Sequence, residues 1–329
     1  MSIRKDCEYI GRSKTCQRGI GLNAKHGTPS ADPWPAWLGH DRHAGDPEFA
    51  PQLHAAVARY VDRLLDNAEL APNLTLLDVG SGDGVVAWRA LARTGPTLQV
   101  IVSEPSEVLL AQARAHAERL GVMQQCRFLQ RGAEALGELA SASVDVVTTR
   151  SVLAYVADKR AALREFHRVL KPGGRIALAE PVFQDEAFEA NLLRHRLATQ
   201  PDAAQDMALR LLHRWKAAQF PDTLEAIARS PLCCHSERDL LRFALGEGFT
   251  DLHLELDIRI APSAIRSWQV YLDVTPHPWA PSLRTILAER CSDEERALFE
   301  RLLRPAVEAG TQTSNDRMVY LTARKPALA

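Results

Sequence analysis

The stretch LLDVGSGDG, residues 76–84, sets two aspartates and three glycines directly after a short apolar run. Glycine at 80, 82 and 84 removes side chains where a strand would turn into a helix, which permits unusual backbone angles and lets a ligand approach bare main chain. A helix starting there aims unpaired N–H groups at the same space, which favours an anionic group. A second acid, Glu104, closes the next apolar run, 26 residues after Asp78. A carboxylate at the tip of a second strand can accept from both hydroxyls of a ribose, so the two features together imply a nucleoside ligand. The pattern D-x-G-x-G-x-G lacks the G-x-G-x-x-G spacing suited to a pyrophosphate, which argues against a dinucleotide dehydrogenase.

These residues need strands to carry them. Apolar runs at 75–79, 99–103, 126–130, 144–149 and 175–180 read as strands, and helical stretches fall at 84–94, 106–120 and 159–170. Continuous apolar strands separated by helices imply a parallel sheet covered on both faces, an α/β, Rossmann-like, doubly wound arrangement whose ligand lies beyond the carboxyl ends of the strands. Upstream, Leu53, Val57, Tyr60, Val61, Leu64 and Leu65 recur at helical spacing. Trp34, Trp37 and Leu38 give the Gly- and Pro-rich segment before them something to bury, so it is expected to pack as a cover.

After residue 182 the alternation stops. Phe188, Leu192, Leu193 and Leu197, then Leu209, Leu211, Leu212, Trp215 and Phe220, suggest helices. Leu252, Leu254, Leu256, Ile258 and Ile260 alternate as a half-buried strand, a helical piece follows over 262–309, and 317–324 reads as a last strand. The expected organisation is a helical cap over 1–70, a ligand-binding core over 71–182, a helical lid over 183–248, and the closing strands with inserted helices over 249–329.

Bulk properties exclude some partners. Forty Lys and Arg against 41 Asp and Glu leave a net charge of -1, so no global field favours nucleic acid or an anionic membrane. The six cysteines, Cys7, Cys16, Cys126, Cys233, Cys234 and Cys291, form no C-x-x-C pair and no metal-ligand spacing, so no metal is expected. No signal peptide and no run of 18 apolar residues is legible, which points to the cytoplasm.

LLDVGSGDG, Glu104, RGAEAL, SVDVVTTRSVLAYVADK and ALREFHRVLKPGGRIALAEP resemble the successive motifs of class I S-adenosylmethionine-dependent methyltransferases. HRVLKPGGRI, with Pro172-Gly173-Gly174 launching the fifth strand, is similar to the ubiquinone-biosynthesis-like (methyltransferase type 11) branch. The resemblance spans roughly residues 50–182 and implies a seven-stranded sheet, with the last two strands as its reversed hairpin. It implies S-adenosylmethionine as cofactor, with Gly80, Ser81 and Gly82 beneath its methionine and ribose portions and Asp78 orienting the loop. It further implies Glu104 on the ribose hydroxyls, Pro105 and Ser106 beside the adenine, Ala133 and Glu134 at the adenine edge, and Arg150 and Ser151 near the methionine part. Gly132 stands where many relatives carry an aspartate for the adenine amino group. Arg150 can pair with the cofactor carboxylate, or form an ion pair with Glu134 or Asp78.

Methyl transfer is an in-line displacement from a positively charged sulfur, so positioning and exclusion of water do most of the work, and a base serves only when the acceptor must lose a proton. Base candidates are His40, His43, His277 and Tyr155, of which Tyr155 follows the fourth strand; His167 reads as structural. Trp215, Trp268, Tyr271 and His277, with Phe220 and Trp279 beside them, are expected to line a small-molecule acceptor site, with a second core or a dimer contact as the alternative. Cys233-Cys234 raises arsenic methylation, which the remaining cysteine spacing does not support. Two alternatives keep the cofactor: a cyclase or lyase that cleaves it internally, and a noncatalytic binding protein.

Overall fold

The computed structural model describes residues 32–327. Seven strands, β1 (Thr75–Val79), β2 (Gln99–Ser103), β3 (Cys126–Leu129), β4 (Val144–Arg150), β5 (Leu170–Pro181), β6 (Thr250–Pro262) and β7 (Thr313–Arg324), form one sheet in the order β3-β2-β1-β4-β5-β7-β6. The first five run parallel, and β7 is antiparallel to both β5 and β6. The carboxyl ends of β1, β2, β4 and β5 therefore share one rim of the sheet.

Helices α1 (Trp34–Ala36), α2 (Phe49–Ala68), α3 (Val85–Thr94), α4 (Glu107–Leu120) and α5 (Lys159–Val169) accompany the parallel strands. Each strand divides its apolar residues between two cores, as a pleated strand covered on both faces must. Leu76, Val100, Val102, Val146, Ala177 and Ala179 pack with residues of α2 and α3, whereas Leu77, Ile101, Val147, Ile176 and Leu178 pack with residues of α5. This double burial explains why the strands read as continuous apolar runs. Ser106 and Asp158 accept from the backbone N–H groups of Leu109 and Ala161, capping α4 and α5.

Beyond β5 come α6 (Gln184–Thr199), α7 (Pro201–Gln205), α8 (Met207–Gln219), α9 (Leu224–Arg229) and α10 (Glu237–Gly246); α11 (Trp268–Asp273), α12 (Leu283–Arg290) and α13 (Asp293–Ala309) lie between β6 and β7. Leu211, Trp268, Leu272, Leu283, Leu287 and Phe299 join α8, α11, α12 and α13 in a core of their own. Lys216 ties α8 to α6 through Glu186 and Glu189, at 2.7 and 2.8 Å. α6 forms where Phe188, Leu192, Leu193 and Leu197 suggested a helix; it buries Ala187, Ala190 and Leu193 and leaves Phe188 and Leu192 exposed. The KPGG segment also differs from a plain turn. Gly173 and Gly174 exchange backbone hydrogen bonds with Lys325, so pairing begins before the apolar part of β5.

Candidate active site

The glycine turn sits on the rim just after β1. Gly80 and Gly82 have φ of 60° and 57°, which L side chains rarely adopt. A Cβ on Gly80 would stand 2.6 Å from Val152, and one on Gly82 would stand 3.2 Å from Leu38. The turn is bare because two other segments close on it: the loop after β4 and the segment before α2.

Glu104, buried at the end of β2, folds back over this turn. One oxygen accepts from Gly82 N at 2.9 Å and the other from Ser106 N at 3.0 Å. Burial raises its pKa, and the two N–H donors pull it partly back. Each oxygen keeps a lone pair, so the carboxylate can still accept from a pair of hydroxyls.

Asp78 is buried beneath the turn. Its Oδ1 accepts from Thr148 Oγ1 at 3.0 Å, and its Oδ2 has no partner among the described residues. Burial raises its pKa to about 7, opposed by the Thr148 hydrogen bond and by the positive charge of Arg150. Ser81 Oγ is likewise buried and unpartnered.

Two arginines complete this side. Arg150 ends β4 and acts electrostatically on Asp78, Arg42 and Tyr155. Arg42 reaches in from the segment before α2, 4.0 Å from Asp83, with its buried Nε unpartnered. Burial lowers its pKa, which Asp83 opposes and Arg150 reinforces. Asp32 accepts from Ser106 Oγ, and Trp34 lies edge-on to Tyr155 with ring centroids 4.8 Å apart. The segment from Asp32 to Arg42 thus lies across the glycine turn.

Glu180, at the end of β5, organises the opposite wall. It accepts from Thr149 Oγ1 at 2.5 Å and from the N–H groups of Val152 and Leu153 at 2.8 Å each, fixing the loop that presents Val152 to Gly80 and Tyr155 to the cleft. Ser151 in that loop has φ 56° and donates its N–H to Ala179 O. Burial raises the Glu180 pKa to about 7 against these donors.

Around Tyr155 the rings of Trp34, Phe183 and Trp279 stand with centroids 4.8–6.3 Å away, and Phe220 and His277 extend the cluster. His277 Nε2 lies 2.9 Å from Gln219 O, and its Nδ1 is buried without a partner among the described residues. A carbonyl oxygen only accepts, so Nε2 carries the hydrogen and Nδ1 presents a free lone pair. Burial lowers the His277 pKa. Burial, reinforced by Glu180, raises that of Tyr155, which keeps its phenol protonated.

Several expected residues lie elsewhere. Trp215, Trp268 and Tyr271 pack against one another and Phe299 in the core of α8, α11 and α13, because that apolar surface is shared among the helices themselves; of the expected acceptor residues His277, Trp279 and Phe220 join the ring cluster. Glu134 accepts from Asp158 N at 2.7 Å and so holds the start of α5. Ala133 is buried, and Pro105 is exposed beside α4. His40 and His43 face each other in the turn before α2, and His167 packs edge-on to Phe249 near the opposite rim. Arg42, Glu180 and Phe183 are the residues that sequence reasoning missed. Glu180 carried a signal, an acid ending an apolar strand. Arg42 carried none.

Residues 70–219 match the family model of a methyltransferase domain. Nocamycin O-methyltransferase from Saccharothrix syringae is 29% identical over 272 residues, covering 80% of this chain and 90% of that protein. The ubiquinone/menaquinone biosynthesis C-methyltransferase UbiE of Klebsiella pneumoniae is 33% identical over 106 residues, 32% of this chain and 42% of that one. The YcgJ protein of Bacillus subtilis shares the fold at TM-score 0.50 and 17% identity, over 82% of this chain and all of that one. Residues 70–219 thus carry a methyltransferase domain, and the chain is similar to S-adenosylmethionine-dependent methyltransferases, which supports an enzyme of methyl transfer.

The cleft fits that cofactor on its own chemistry. Val152 and Leu38 stand against Gly80 and Gly82, Glu104 retains acceptors for hydroxyls, Asp78 supplies a buried acid, and Arg42 with Arg150 suits a carboxylate. When bound, S-adenosylmethionine supplies a methyl group on a positively charged sulfur.

Proposed function

We propose that this methyltransferase modifies a hydroxyl oxygen of a small, flat organic acceptor held among the rings of Trp34, Tyr155, Phe183 and Trp279. The observation that carries this is His277 Nδ1, a buried, unpartnered base in the ring cluster that opens from the Val152 loop. Aromatic walls favour a planar acceptor, and a hydroxyl acceptor gives up a proton as its oxygen attacks. The likeness to an O-methyltransferase over 90% of that protein's length supports the same choice.

Roles follow for the remaining residues. Asp78, Arg42, Arg150 and Ser151 hold the methionine part of the cofactor, Gly80, Ser81 and Gly82 line its path, Glu104 takes the ribose, and Pro105 and Ala133 border the adenine. Tyr155 is a wall and hydrogen-bond donor beside the reacting atoms, since its raised pKa makes it a poor base. Glu134 serves the fold. The helices after β5 and those between β6 and β7 act as a lid that keeps water from the rings. Among the described residues no helix is long and apolar enough to cross a membrane, and all four cysteines are unbridged, which supports work in the cytoplasm on a soluble acceptor.

The test follows methyl-labelled cofactor through a panel of small phenolic and enolic acceptors. Label is expected on an acceptor oxygen, with S-adenosylhomocysteine as coproduct; methylthioadenosine instead would establish internal cleavage. His277→Ala is expected to lower kcat by about 10²–10⁴-fold while cofactor affinity stays unchanged. Full turnover in that variant would remove His277 from the mechanism.

A further inference from the structure

Strand β6 ends the sheet. It pairs only with β7, and its outer edge has no backbone partner among the described residues. Proteins protect such edges with short strands, lysines, internal prolines or bulges. Along TDLHLELDIRIAP there is no lysine, the single proline is the last residue, and the one irregularity in register lies at its start, between Thr250 and His253; its charged residues are Asp251, Glu255, Asp257 and Arg259, of both signs.

The two faces of the strand differ. Glu255 and Asp257 turn toward α2, where Arg63 bonds Glu255 and lies 3.8 Å from Asp257. Leu252 and Leu254 pack on the other face with residues of α10. Further along that face Leu256, Ile258 and Ile260 are 41, 52 and 70% exposed, increasing toward the end of the strand. Arg259 makes no ion pair among the described residues.

We propose that this edge is the interface of a homodimer, with β6 pairing antiparallel to β6 of a second copy about a two-fold axis through Ile258. Charge selects that register. With Ile258 opposite itself, Leu256 meets the partner's Ile260, and Asp257 meets the partner's Arg259 twice over, related by the axis. Moving the centre by one residue sets Asp257 against Asp257 or Arg259 against Arg259, and moving it to Leu256 sets Glu255 against Asp257. Like charges directly opposite are unfavourable, whereas aliphatic and opposite-charge cross-strand pairs are favourable. The rotation joins two sheets into one and reverses the strand direction between copies. The two cofactor clefts then open at opposite ends, and neither is covered. This inference depends on the sheet edge alone and is independent of the acceptor assignment.

Sedimentation analysis of the full chain over a concentration series tests it, with cofactor binding as the check on folding. The wild type is expected to reach dimer mass. Arg259→Asp is expected to weaken the dimer about tenfold, and the double exchange Asp257→Arg with Arg259→Asp to restore it. Ile258→Lys is expected to yield a monomer that binds cofactor normally. A wild type that stays monomeric at every concentration overturns the proposal, as does a dimer indifferent to Ile258→Lys or a double exchange that restores nothing.

Discussion

Asp78 is a buried acid that the proposed site sets beside the methionine part of the cofactor, and its raised pKa would couple occupancy to pH. Below about 7 the folded free protein holds a proton there that an ordinary aspartate has already released. A cationic group placed beside Oδ2 favours the ionised form, so cofactor affinity is expected to rise as pH increases through about 7. Calorimetry from pH 6 to 8 reads this directly, and Asp78→Asn should flatten the profile. The sign for folding is the reverse. Between the unfolded value near 3.8 and the folded value near 7, the native state binds more protons than the unfolded one, so this group's contribution to stability falls as pH rises across that window. Glu180 acts in the same sense, its folded pKa being raised to about 7 as well. His235, fully buried with both ring nitrogens unpartnered, acts in the opposite sense: burial, with Lys159 nearby, lowers its pKa to about 3, so stability from this site is lost as pH falls below the ordinary histidine range.

Among the elements, the segment from Asp32 to Arg42 does the most with the fewest residues. Helical from Trp34 to Asp41, it contacts the glycine turn through Leu38, α4 through Asp32, the ring cluster through Trp34, and the region between β6 and β7 through Trp37, whose Nε1 lies 3.1 Å from Thr275 Oγ1. One segment thereby joins the cofactor side of the cleft to the acceptor side. Arg42→Met keeps most of the side-chain stem and removes the charge. It is expected to raise the cofactor Kd about tenfold or more, the equivalent of one charge-assisted hydrogen bond, with little change in the unfolding midpoint. An unaltered Kd would show that Arg150 alone faces the carboxylate.

For the molecule as a whole, the cofactor is a structural ligand as well as a reactant. In the proposed site it bridges β1, β2, the loop after β4 and the segment before α2, which are distant in sequence and meet only in the native state. A ligand that binds only the folded form at 100 times its Kd stabilises it by about 2.7 kcal/mol, so S-adenosylmethionine is expected to raise Tm by several degrees, at about 2–4 °C per kcal/mol for larger domains. Differential scanning calorimetry measures the shift, and its absence at saturating cofactor would contradict a cleft assembled from these four segments.

The sheet was legible from local chemistry. Alternating strands and helices, the D-x-G-x-G-x-G turn and a strand-ending acid are set by residue type and spacing, since burial on two faces requires continuous apolar strands and a bare turn requires glycine. Asp78, Gly80, Gly82, Glu104 and Arg150 could be named because each lies within a few residues of a strand end. The sequence could not say which aromatic residues face the cleft. Trp215, Trp268 and Tyr271 have the same composition signature as Trp34, Phe183 and Trp279, and only the packing of α8, α11 and α13 on one another withdrew the first group into a separate core. Arg42, 36 residues before Asp78, and His277, far beyond β5, reach the site through chain folds that carry no local periodicity. Their roles are products of tertiary proximity, which pairs residues by space and charge without regard to their order along the chain.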